Sequence, residues 1–136
     1  ETTGISRALV NAAIVKIPVL GVCLGHQLIV DFFGGQVEQS EPVHGSASAI
    51  THNNDPLFQG IASPFLAGRY HSLAAYNLPD CLEEIAWGPD NMNMAVRHKV
   101  HDIYGVQFHP ESVLTPTGRD IVGNFLKYVP VQEPRA

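Results

Sequence analysis

The sequence predicts an α/β domain of three layers, with helices on both faces of a mostly parallel open sheet. Three observations carry that expectation. Ile17, Val19, Leu20 and Val22 form a short apolar run around Pro18, as a strand covered on both faces does. Leu28, Ile29, Val30, Phe32 and Phe33 follow at once on a helical rhythm instead of an alternating one. Near the other end, residues 103–108 (I-Y-G-V-Q-F) read as a strand, and Ile121, Val122, Phe125, Leu126 and Val129 as the inward stripe of a closing helix.

The elements fall in order. Over residues 5–15, Ile5, Leu9, Ala12, Ala13 and the stem of Lys16 share one side of a helix, with Thr3 or Ser6 as its cap. Pro18 ends that helix and opens the central strand. A second helix runs from Leu24 to Phe33, and Gly34-Gly35 stops it. Short strands are then expected over residues 36–39, 47–51, 65–70, 83–87 and 93–97. Turn residues separate them at Asn53-Asn54-Asp55-Pro56, Gly60, Leu78-Pro79-Asp80 and Gly88-Pro89-Asp90. Residues 130–136, with two prolines, read as a frayed tail. The chain opens on Glu1-Thr2-Thr3-Gly4 and passes straight into a helical pattern, so the first strands of the sheet are expected to be missing.

At 136 residues this is one domain, residues 1–136. A hydrophobic fraction of 45%, a charged fraction of 15% and a net charge of −5 describe an ordinary globule. The eight Lys and Arg residues are scattered, which argues against a nucleic-acid or anionic-membrane partner. There is no secretory h-region and no apolar run of membrane-spanning length. With only two cysteines, a reducing cytoplasm is the expected compartment.

Cys23 occupies the corner between the central strand and the second helix, with Gly21 and Gly25 at minus two and plus two. A turn tight enough to lift one side chain out of a sheet leaves no room for bulk on either side. The sulfur there faces the first N–H groups of a helix, which favour a thiolate. On these residues alone Cys23 is either such a nucleophile or an inert buried thiol. Phe108-His109-Pro110-Glu111 adds the second half: it leaves the last strand where open α/β sheets place their ligands. His109 would exchange the thiol proton, and Glu111 would hold the other ring nitrogen.

The elbow G-V-C-L-G-H-Q and the later G-V-Q-F-H-P-E-S resemble the class I, or triad, glutamine amidotransferases. The chain is most similar to the glutaminase components of anthranilate synthase and aminodeoxychorismate synthase. Tyr70-His71-Ser72-Leu73, the Val43-His44-Gly45 turn and H-P-E-S-V-L-T-P-T-G from His109 to Gly118 belong to the same likeness. The resemblance implies a flavodoxin-like fold and hydrolysis of glutamine through a cysteinyl thioester. It implies Cys23 as nucleophile, His109 as acid and base, and Glu111 as its orienter. Gln27 would contact the substrate, Ser72 and Leu73 would grip its α-amino and carboxylate end through backbone groups, and the N–H of Leu24 would be an oxyanion donor. No cofactor is implied, and His44, His52, His98 and His101 lack metal-ligand spacing. The implied partner is a chorismate-utilising synthase component I, docked near Ser72, Pro110 and residues 114–116.

Two departures stand out. The family's P-G-P-G loop, its second oxyanion donor, would fall just before Thr3 and is not among these residues, which implies weak or no turnover by this chain alone. Ser46 stands where a lysine is common. Cys81, Trp87, Phe32, Phe33 and Phe125 read as structural, and His71 as shaping its loop. Two other readings remain at this point: another elbow-cysteine hydrolase, of γ-glutamyl hydrolase or DJ-1 type, or a non-catalytic subunit that binds the synthase.

Overall fold

A computed structural model describes residue 9 and residues 17–128. The expected first helix over residues 5–15, Val129 and the tail over residues 130–136 lie outside the described residues, apart from Leu9, which is helical and fully buried. The elements are β1 (Val19–Val22), α1 (Leu24–Phe32), β2 (Gln36–His52), a 3-10 turn (Pro56–Phe58), β3 (Phe65–Tyr76), β4 (Leu82–Trp87), β5 (Asn93–His98), β6 (Ile103–Val106) and α2 (Gly118–Tyr128).

The sheet order is β1-β6-β5-β4-β2-β3. Only β1 and β6 are parallel; the other four pairs are antiparallel, which corrects the expectation of a mostly parallel sheet. The reason is connection length. Residues 88–92 and 99–102 join the neighbouring pairs β4–β5 and β5–β6 and are too short for the crossover that a parallel neighbour requires. β1 is also not central: among the described residues it ends the sheet order, and Val19, Leu20 and Val22 are only half-buried. The two short strands expected over 36–39 and 47–51 are one long strand, broken by irregularities between Gln39 and Val43 and between His44 and Ser46.

A helix does cover each face. Ile29 and Val30 of α1 pack with Val96 and Ile103, whereas Ile121 and Phe125 of α2 pack with Ala95, Tyr104 and Val106. Neighbouring strand residues point to opposite faces, so Val96 against Ala95 and Ile103 against Tyr104 put the two helices on opposite sides. Leu126 is exposed instead of joining the stripe, because it lies well round the helix from Ile121 and Phe125. Phe32 is likewise exposed at the end of α1. Cys81 packs beside the α1-side core and is unpaired.

One buried carboxylate ties the far side together. Asp55 accepts from Arg97 Nη1 at 2.7 Å, from the Tyr104 hydroxyl at 2.9 Å and from the N–H of Leu57 at 3.0 Å, which joins the 3-10 turn to β5 and β6. No helix among the described residues is long and apolar enough to cross a membrane.

Candidate active site

Val22 pairs with Val106 in the parallel register, so β1 and β6 deliver their carboxyl ends to the same rim. The N–H of Cys23 donates to the Val106 carbonyl at 2.7 Å, which extends the ladder one residue beyond β1. The backbone then turns sharply at Cys23, with φ 54° and ψ −99°. A non-glycine residue is strained there, and such strain concentrates where a side chain must be presented. The first bond of α1 follows, from the N–H of Gln27 to the Cys23 carbonyl at 3.1 Å.

The glycines flanking the cysteine are not equivalent. A Cβ at Gly21 would stand 2.7 Å from the main-chain carbon of Gly25 and 2.8 Å from Ile29 Cδ1. At Gly25 it would meet nothing within 4 Å. Bulk is excluded before the cysteine and not after it, which corrects the symmetrical reading.

His109 is clamped to β3. Its N–H donates to the Gly68 carbonyl at 2.9 Å, and its own carbonyl accepts from Thr115 Oγ1 at 2.7 Å. Nδ1 lies 2.7 Å from Glu111 Oε2. A carboxylate only accepts, so Nδ1 carries the proton and Nε2 of the neutral ring is the atom able to take one. Slight burial works against the Glu111 charge, but the bonds from His109 and from its own backbone N–H win and hold its carboxyl below the usual glutamate value.

Tyr70 links the two halves. Cys23 Sγ lies 3.6 Å from the Tyr70 carbonyl oxygen, and the Tyr70 ring meets the His109 imidazole edge to face at 5.2 Å. Cys23, His109 and Glu111 thus gather on one rim around β3. Burial pushes the Cys23 thiol up, against the opposing pull of the Leu24 N–H and the Gln107 side chain. The helix start supplies its donor as expected, yet desolvation outweighs it, so a base is needed to draw off the proton.

Gln27 lies inside the protein. Its Nε2 donates to the Leu73 carbonyl at 3.3 Å and to Gln107 Oε1 at 3.1 Å. Leu73 is half-buried, and its carbonyl also faces His71 Nδ1 at 3.0 Å. Ser72 is exposed and lines an open cavity of about 470 Å³ with Val43, Tyr70 and His71. Residues 70–73 belong to β3 and not to a loop, which corrects that expectation, and His71 orients Leu73 within the strand: Arg69 Nε donates to its Nε2 at 3.1 Å, so Nδ1 carries the proton and donates to the Leu73 carbonyl. Burial and then the Arg69 charge push the His71 pKa down.

Sequence reasoning assigned no role to Gln107, which is fully buried with its Nε2 3.5 Å from Cys23 Sγ. The available clue was one polar residue inside the apolar run I-Y-G-V-Q-F, since a buried amide needs partners. His26 was also passed over. It is fully buried under Gly105, and Nε2 faces Asn93 Oδ1 at 2.8 Å. Asn93 Nδ2 is committed to Glu84 and to the Ala95 carbonyl, so His26 Nε2 donates.

Burial pushes the His26 pKa down to about 4. An unfolded histidine titrates near 6.5, so the neutral ring stabilises the fold fully above that pH. The contribution is lost as pH falls from 6.5 towards 4, about 3 kcal/mol in all. The expected result is that the His26 ring resonances stay those of neutral imidazole down to about pH 5, while denaturation shows stability falling over the same window. Protonation of His26 near pH 6.5 would contradict this.

The fold and rim define an α/β domain that presents a cysteine on a strained strand-to-helix corner beside a histidine–carboxylate pair. The sequence model of the family "Glutamine amidotransferase class-I" matches residues 1–129, and the chain belongs to that family. It is 51% identical over 112 residues to anthranilate synthase component 2 of Methanothermobacter marburgensis, covering 81% of this chain and 57% of that protein. It is 43% identical over 129 residues to aminodeoxychorismate synthase component 2 of Escherichia coli K12, covering 93% and 69%. The chain thus spans little more than half the length of the first relative. Among solved structures, a Thermoplasma acidophilum protein assigned to GMP synthase superposes with a TM-score of 0.84 at 28% identity, covering 92% of this chain and 62% of that one.

Proposed function

We propose that this chain, read as one partial amidotransferase domain over residues 1–136, belongs to a protein that hydrolyses glutamine to glutamate and ammonia and passes the ammonia to a chorismate-aminating synthase, with weak or no turnover by these residues alone. The observation that carries the reading is the strained elbow of Cys23 on the rim where His109 is locked by Glu111. His109 Nε2 takes the thiol proton, and the thiolate attacks the side-chain amide of glutamine to give a tetrahedral oxyanion. The Leu24 N–H is one donor to that oxygen. His109 returns its proton to the departing nitrogen, which leaves as ammonia, and a γ-glutamyl thioester remains on Cys23. Water, activated by the same ring, then releases glutamate.

Apolar exposure around the rim supports a partner at this face. Val113 is 94% exposed, Leu24 61% and Tyr70 45%. Pro110 is buried, so the 109–116 loop offers Val113 there in its place. The names of the relatives, each a component 2, point to a component I as that partner.

A glutamine-analogue diazoketone is expected to form one adduct, on Cys23, and excess glutamine is expected to prevent it. Adduct on Cys81, or none on a folded chain carrying the whole domain, would overturn the reading.

A further inference from the structure

We propose that Gln107 is a further catalytic residue: its side-chain amide donates a hydrogen bond to Cys23 Sγ and holds the sulfur as a thiolate for attack. The proposal rests on the reading of Cys23 as the nucleophile.

The orientation of the Gln107 amide follows from its neighbours. The Leu73 carbonyl can only accept, so the Gln27 group facing it at 3.3 Å is its NH2. The other Gln27 N–H points at Gln107, 3.1 Å away, and must meet an oxygen. Oε1 of Gln107 therefore faces Gln27, and its Nε2 faces the sulfur at 3.5 Å. Flipping the Gln107 amide would set two NH2 groups against each other. The Leu73 carbonyl is itself held by His71, whose tautomer Arg69 fixes.

The same chain of bonds distinguishes thiol from thiolate. The Tyr70 carbonyl, 3.6 Å from Sγ, can only accept and so suits the thiol. Gln107 can only donate, and a donor gains most when its acceptor is charged. The Leu24 N–H acts on the sulfur in the same sense, and the Glu111 carboxylate opposes ionisation. Gln107 is fully buried, with its main-chain N–H bound to the Met94 carbonyl at 2.8 Å, and its side chain also meets Gln27 and the buried His26 ring.

The test reads the thiolate directly, as the pH dependence of iodoacetamide alkylation of Cys23 in the full chain with Cys81→Ala. In Gln107→Met the midpoint is expected to rise by about one pH unit, so that alkylation below it slows about tenfold. In Gln107→Glu, which adds an acceptor, the midpoint is expected to rise further. An unmoved midpoint in either variant, with melting unchanged, would overturn the proposal. Should both variants fail to fold, the Gln107 side-chain NH2 resonances of the parent are expected to shift with the Cys23 midpoint. Resonances that stay fixed while Cys23 titrates would overturn it equally. Failure of the glutaminase reading shows separately, as absent diazoketone labelling with the alkylation profile still responding to Gln107.

Discussion

Cys23→Ser, in the chain assembled with its proposed synthase partner, is expected to lower glutamine-dependent synthesis by about 10,000-fold or more, while synthesis fed with ammonium salt stays within about twofold. The asymmetry follows from the chemistry of one atom. Burial already raises the thiol above its ordinary value, and a hydroxyl in the same place would be far harder to ionise. Gln107 and the Leu24 N–H would still point at the oxygen, and His109 would still be locked by Glu111, but with no competent nucleophile these groups have nothing to stabilise. Ammonia supplied from solution bypasses the step altogether. Equal loss of both activities would mean that the two reactions are not divided between chains in this way.

The residues of the rim were legible because their identity and spacing are chemically particular. A cysteine two residues after a glycine, at a strand-to-helix corner, and a histidine two residues before a carboxylate, at a strand end, each state a local geometry. The structure meets it in the positive φ of Cys23 and in the contact of His109 with Glu111. The sheet was less legible because apolar runs report burial and not strand direction. For β4 and β5 direction was written in the connection: the turn residues at 88–90 leave no helix between these neighbours. The role of Gln107 was hidden for another reason. Its partners Gln27, Leu73 and Cys23 come from distant segments, and only the closed fold shows that Gln27 orients it.

Gly118→Ala is expected to injure both stability and activity although residue 118 touches no reacting group. A Cβ there would collide with the Pro110 carbonyl oxygen and lie 2.6 Å from its carbon and 3.0 Å from its Cα. All three are backbone atoms, so no rotamer change relieves the collision. Pro110 joins His109 to Glu111, and the N–H of Gly118 is bound to the Thr115 carbonyl at 2.9 Å on the same loop. Yielding by either segment moves the imidazole relative to Cys23. Overpacking of this kind costs about 3 kcal/mol, and displacement of a catalytic group by roughly 1 Å costs about 100-fold in rate. Gly123→Ala, in the same helix and with nothing within 4 Å, is the matched control; it is expected to stabilise the helix by about 0.5 to 1 kcal/mol and leave the rate unchanged. Thermal melting, and glutamate release by a chain carrying the whole domain, measured on the two variants side by side decide the matter. A Gly118→Ala protein that melts and turns over like the parent would show that the loop bearing His109 is not braced against α2.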